Sequence, residues 1–162
     1  MTIIEKQDLI RQILAGLTEK FEAIVQAAKA TYDGAIHEES RAEDKYDTRG
    51  LEASYLAGAQ AERAAELETA ISRYRNLKVR EFKEDDPITL TALVEVETDG
   101  KTSLYFIGPE GGGMKLQSGG REVTVITAKS PLGSQLVGRM ADEEFDYAAG
   151  GVQRNCTILS VS

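Results

Sequence analysis

The chain has 162 residues and a mass of 17.6 kDa, with 27 acidic and 19 basic side chains and a net charge of −8. Hydrophobic content of 41% and charged content of 28% fit a globular protein and exclude wholesale disorder. The single Cys156 and single His37 exclude an internal disulfide and any multi-cysteine or multi-histidine metal site, and a pI near 4.8 argues against autonomous binding to duplex DNA.

No apolar stretch approaches the roughly 20 residues that a membrane span needs. The segment Met1–Asp8 turns charged at Glu5 and Lys6 and so lacks the apolar core of a secretory signal. These features lead us to expect a soluble, cytoplasmic protein with no membrane partner.

Two halves differ in composition. Four glycines (Gly16, Gly34, Gly50 and Gly58) precede residue 90, eleven follow it, and Pro87, Pro109 and Pro131 all lie beyond residue 86. Glycine and proline punctuate strands and turns, so the first half reads as helical and the second as β-rich. In the first half, Ile10, Leu14, Leu17, Phe21, Ile24, Ala28 and Thr31 alternate spacings of 4 and 3, which is a heptad seam. Ala53, Ala57, Gln60, Ala64, Leu67, Ile71 and Tyr74 form a second seam. Joined by a polar stretch, the two predict an antiparallel coiled-coil hairpin with helices of about 27 residues, roughly 40 Å long at 1.5 Å per residue. Large residues meet near its base and alanines near its turn. The expected domains are a helical finger over 1–81, a linker over 82–87 and a β domain over 88–162.

The turn region, 33–52, carries seven carboxylates against Arg41, Lys45 and Arg49. Single acids there can serve as solvated or capping residues, and Asp47-Thr48 suits a helix start. Clustered at the end of a hairpin, they point to a metal ion or a cationic surface supplied by a partner. Carboxylates are hard oxygen donors, and one or two of them together with substrate phosphates commonly hold Mg²⁺. At the base, Arg73, Arg75, Lys78, Arg80 and Lys83 form a basic run. Cations suit a helix C-terminus, and the same run could contact RNA or an acidic partner.

In the second half, 89–97 and 102–107 alternate around Asp99-Gly100 and read as a β-hairpin. Strands are also expected at 122–127 and 156–161, with a short helix at 132–137 between Ser130-Pro131 and Gly138. The expected fold class is α+β, a coiled-coil hairpin followed by a small antiparallel β domain with one short helix.

The glycine run 108–113 lacks the spacing of a phosphate-binding loop and reads as a turn between strands. Cys156 reads as a packed strand residue and His37 as a solvated one. Ser130 has no histidine in its own domain to activate it as a nucleophile.

The order of these elements carries a resemblance. A helical finger with an acidic tip, followed by Ser130-Pro131-Leu132-Gly133-Ser134-Gln135-Leu136-Val137-Gly138-Arg139, resembles the Gre transcript cleavage factors (GreA/GreB) over essentially the whole chain. Tyr105–Gly108 looks like the family's central strand, and Gly150-Gly151-Val152 with the strand to Val161 looks like its closing hairpin. The resemblance implies an FKBP-like second domain that docks on bacterial RNA polymerase through Ser130, Pro131, Leu132, Gly133, Leu136, Gly138 and Arg139. It also implies that the finger enters the polymerase secondary channel, near the nascent RNA; a monomer is expected because a seam satisfied within one hairpin gives no reason to need a dimer.

There the tip acids would share Mg²⁺ with the polymerase and promote hydrolysis of backtracked RNA, so the chain would be no enzyme by itself and would own no cofactor. The family's acting Asp and Glu stand three residues apart. Asp44 and Asp47 keep that spacing here, with Glu43 adjacent, while a gapless placement anchored on Gln60 puts Tyr46 and Arg49 at those positions instead. A channel-binding regulator that does not cleave, and a coiled-coil adaptor or chaperone with a peptide-binding β domain, are the alternative functions.

Overall fold

The computed structural model describes residues 4–36 and 56–162. It divides into two compact units, one formed by the chain up to Leu14 together with Arg73–Ser162, the other by Ala15–Ser72. Among the described residues the architecture is α+β: two long helices, then a six-stranded sheet carrying one short helix.

Helix α1 spans Lys6–Ile36 and opens on the Glu5 carbonyl, which accepts from Asp8 and Leu9. Its buried stripe is Leu9, Ile10, Ile13, Leu17, Val25 and Ala28, with Leu14, Phe21 and Ile24 half-buried. The expected seam is therefore present, and it widens within the first turns, where Leu9 and Ile13 are both fully enclosed. Thr31, expected at the seam's end, is exposed; its hydroxyl donates back to the Ala27 carbonyl one turn earlier.

Helix α2 spans only Ala59–Arg75 and is shorter than the seam implied. Gly58 has φ +55°, a left-handed conformation that the interior of an α-helix does not admit, so helix begins after it and Ala57 and Gln60 stay exposed. Ala64, Ile71 and Tyr74 are buried as the spacing requires and Leu67 is half-buried, while Ala70, which lies off the seam, is buried as well. Ala53 lies outside the described residues.

The strands are β1 (Leu93–Thr98), β2 (Lys101–Ile107), β3 (Lys115–Ser118), β4 (Arg121–Ile126), β5 (Glu144–Ala149) and β6 (Val152–Val161), and they lie in the order β3-β4-β2-β1-β6-β5. The β1–β2 hairpin closes on Asp99-Gly100, both with positive φ, the two-residue turn whose twist matches that of the strands. Four of the five strand pairings are antiparallel, but β2 and β4 run parallel, which departs from the all-antiparallel sheet expected. The chain leaves β2, forms β3 at the outer edge, and returns as β4 between β3 and β2. That detour gives β4 the same direction as β2.

The sheet buries both faces. On one, Val94, Val96, Ile107, Ile126, Cys156 and Ile158 pack with Leu136 of the short helix α3 (Pro131–Leu136). Leu93, Leu104, Phe106, Leu116, Val123 and Val125 alternate with these and are buried on the other.

The first turns of α1 and the last turn of α2 are both tied to the segment that runs from the end of β2 through β3. Tyr74 is fully buried and its hydroxyl donates to the Glu110 carbonyl. The Gln12 amide donates to the Gln117 carbonyl at 2.7 Å and accepts from the Gln117 N–H at 3.2 Å, so one side chain satisfies both backbone groups of an edge-strand residue. In the stretch expected as a linker, Phe82 is buried and Lys83–Asp86 forms a hydrogen-bonded turn.

Burial holds the Tyr74 phenol well above its ordinary pKa of 10.0. Above that pH an unfolded chain releases a proton that the folded one keeps, so folding stability falls as pH rises past 10. Tyr74→Phe is expected to cost about 1 kcal/mol at neutral pH through the lost hydrogen bond. It should also flatten the alkaline decline. Urea melts at neutral and alkaline pH check this, and a variant that declines as steeply as the parent would contradict it.

Candidate functional site

The tip acids Glu43, Asp44 and Asp47, together with His37, lie outside the described residues. What is described is their frame: α1 leads into that stretch at Ile36 and α2 resumes at Ala59. Among the described residues, no group of three or more His, Cys, Asp or Glu side chains is placed to hold a metal ion.

The basic run divides between two elements. Arg73 and Arg75 occupy the last turn of α2, while Lys78 and Arg80 follow the helix. Arg73 pairs with Glu110 at 2.8 Å, beside the bond from Tyr74 to the Glu110 carbonyl. Arg80 pairs with Asp86 at 3.5 Å and lies 4.7 Å from the centre of the Phe82 ring. Arg75 and Lys78 are exposed. Of the five cations, Arg73 therefore helps hold α2 to the β2–β3 connection, Arg80 pairs within the stretch that follows the helix, and Lys83 is exposed. The pairs are largely solvated, so each is worth only about 0–1 kcal/mol.

The segment 130–139 is described throughout, and the sequence dictates its shape residue by residue. Ser130 caps α3: its Oγ accepts from the Gly133 N–H at 3.0 Å and donates to the Thr127 carbonyl at 2.7 Å. Pro131 occupies the first turn, where its missing N–H is not needed. A Cβ on Gly133 would sit 1.8 Å from the Thr127 oxygen, so no larger residue fits.

Leu136 is fully buried, and Gly138, with φ +91°, turns the chain so that its N–H reaches the Ile88 carbonyl at 2.8 Å. The Ile88 N–H in turn reaches the Arg139 carbonyl at 2.8 Å. The Arg139 guanidinium lies 5.1 Å from the Phe145 ring centre and its Nε donates to Gln135. Leu132 is half-buried, at the wall of a groove of about 290 Å³ that Val96, Tyr105, Tyr147, Arg154 and Cys156 also line.

Most of the residues named for docking thus build the turn, and what the turn presents is a different set. The backbone bonds between Ile88 and Gly138–Arg139 bring 88–90 beside 137–140. Leu90 (45% exposed), Val137 (37%) and Met140 (42%) are the large apolar side chains exposed along those two stretches. Sequence reasoning placed Leu90 in a strand and Val137 in the Ser130–Arg139 segment, and named none of the three for docking. The available signal was their apolar character in short stretches next to Pro87 and Gly138.

The groove has two tyrosine walls. Phe106 is buried on the opposite sheet face from its neighbour Tyr105, as strand alternation requires, and Phe145 belongs to the core. Cys156 is buried and accepts a hydrogen bond from Thr98 at 3.2 Å. The glycine run connects β2 to β3 and is held by the bond from the Gly113 N–H to the Val125 carbonyl at 2.7 Å, which fits its reading as a turn.

Gly133→Ala is expected to lower stability by about 1–3 kcal/mol through the clash with Thr127. Ser130→Ala should lower it by about 1 kcal/mol through the lost cap. Thermal melts check both, and unchanged midpoints would contradict the scaffold role of this segment.

No family model and no curated protein matches the chain. Among solved structures, the GreA factor homolog 1 (Gfh1) protein of Thermus thermophilus is 18% identical, with 96% of this chain and 93% of that one covered and a TM-score of 0.40. Thermus aquaticus Gfh1 is also 18% identical, with 96% and 92% covered and a TM-score of 0.41. The prokaryotic transcription elongation factor GreA/GreB from Nitrosomonas europaea is 18% identical, with 59% of this chain and 78% of that one covered and a TM-score of 0.37.

Proposed function

We propose that the chain is a transcription elongation factor that binds bacterial RNA polymerase at its secondary channel and stimulates cleavage of backtracked RNA. One observation carries the reading: the acid-rich stretch lies between two helices that leave and rejoin the same β body, at Leu14 and Arg73. The Ser130–Arg139 turn, with Leu90, Val137 and Met140 exposed around it, supports a docking role for that body.

In this reading Asp44 and Asp47, with Glu43, act only when delivered into the polymerase active site. Two carboxylates alone bind free Mg²⁺ weakly, so the polymerase and the RNA phosphates must supply the remaining ligands. The shared Mg²⁺ would polarise the scissile phosphate and lower the pKa of an attacking water. The tip's own contribution is negative charge and hard oxygen ligands. The factor would then act as a cofactor of the polymerase, with Arg75 and Lys78 free to meet RNA or an acidic surface.

A second reading is a channel-binding regulator that does not cleave. It is favoured by the tip itself, where the second acid is an aspartate and the alternative placement puts Tyr46 and Arg49 at the acidic positions.

The test is RNA length in stalled, backtracked elongation complexes supplied with Mg²⁺ and the purified chain. Shortened RNA with the parent chain, lost in the Asp44→Ala/Asp47→Ala double variant while polymerase binding persists, is the expected outcome. Cleavage at the parent rate by the double variant would overturn the tip assignment. Binding without cleavage by the parent would establish the regulator, and failure to bind polymerase would leave the adaptor or chaperone reading.

A further inference from the structure

We infer that Lys6 is an acylation site, whose amine takes the acyl group of a small acyl phosphate in preference to the other described lysines. The inference is independent of the polymerase reading.

Three observations single Lys6 out. It is half-buried, whereas Lys20, Lys29, Lys78, Lys83, Lys101, Lys115 and Lys129 are all exposed. It lines a cavity of about 570 Å³ together with Ile4, Glu5, Val79, Glu81 and Phe82, which leaves room for an acyl group beside the amine. Its Nζ is held in place, donating to the Arg80 carbonyl at 2.8 Å and lying 4.8 Å from the centre of the Phe82 ring. A neutral amine keeps that hydrogen bond through one N–H while its lone pair stays available.

The charged groups at the cavity are Glu5 and Glu81, the α-carboxylate of Ser162 on its wall, and Arg80 over the same ring. Desolvation outweighs the attraction of Glu81 and lowers the Lys6 pKa to about 8. An amine desolvated against an apolar surface is an activated nucleophile near neutral pH.

In the reaction the Nζ lone pair forms a bond to the acyl carbon and the bond from that carbon to the phosphate oxygen breaks. Phosphate leaves with the electron pair, and the nitrogen gives up a proton to water or to Glu81. The resulting amide retains one N–H for the Arg80 carbonyl. It carries no charge, so one of the two cations on Phe82 is lost at the point where α1 begins, and Arg80 remains.

The experiment incubates the full chain with acetyl phosphate over a range of pH and measures acetylation at each lysine by peptide mass spectrometry. Near neutral pH the neutral fraction at Lys6 exceeds that of an ordinary lysine by about 200-fold, and its lower basicity gives back roughly a factor of ten or more. Acetylation about ten-fold faster than at Lys20 and Lys29 is therefore expected, with a rate that levels off above pH 8 while theirs keeps rising. A Lys6 rate equal to or below theirs would overturn the inference. So would a preference that survives in urea, because it would then belong to the local sequence and not to the folded cavity.

Discussion

The returning helix has to end against the sheet, and Tyr74 is where it does so. Its ring is fully buried, its hydroxyl is satisfied by the Glu110 carbonyl, and a Cβ on Gly108 would lie 2.1 Å from that hydroxyl oxygen. A phenol buried without a partner would cost about 1–3 kcal/mol, so the backbone of the β2–β3 connection must stay where Tyr74 needs it. That requirement explains a glycine at 108. It also explains why Arg73, one residue earlier, pairs with the side chain of Glu110 while Tyr74 uses its carbonyl. On the leaving helix, Gln12 performs the matching task by completing the hydrogen bonds of edge strand β3 at Gln117. Gln12 and Tyr74 thus both make polar contacts to the segment that runs from β2 through β3.

The second organising feature is a separation between residues that build a surface and residues that are the surface. Ser130, Pro131, Gly133, Leu136 and Gly138 set the path of the chain through capping, fixed φ, close approach, burial and positive φ. None of them offers much side chain to a partner. Their effect is to hold 137–140 against 88–90, where apolar side chains reach solvent. A motif can therefore mark a docking element while its most recognisable residues act indirectly, through the backbone.

Much of the fold was legible because the relevant signals were local. The heptad spacing of α1, the Asp99-Gly100 turn and the Ser130-Pro131 helix start each depend on a few neighbouring residues, and each appears in the structure. Strand β3 was missed because Lys115–Ser118 offers one large apolar residue, Leu116, in four. Strand β5 was implied only as an arm of the closing hairpin: Phe145 and Tyr147 do alternate with polar residues, but Glu144 and Asp146 are residues of low strand propensity. The parallel pairing of β2 with β4 was not legible at all, because it joins segments whose contact depends on where β3 goes. At the candidate site, the tip acids lie outside the described residues, and the roles of Arg73 and Arg80 in ion pairs were not legible. Those depend on Glu110 and Asp86, which only the fold brings near.

The central claim is that this chain acts on RNA polymerase from within the secondary channel. The most direct measurement is equilibrium binding of the labelled chain to purified bacterial core polymerase, repeated with the channel entrance blocked by a cross-linked ligand. The account predicts saturable one-to-one binding that the block abolishes and that weakens when Leu90, Val137 and Met140 are changed together to serine. Binding that persists with the channel blocked, or no binding at micromolar concentrations, would contradict it.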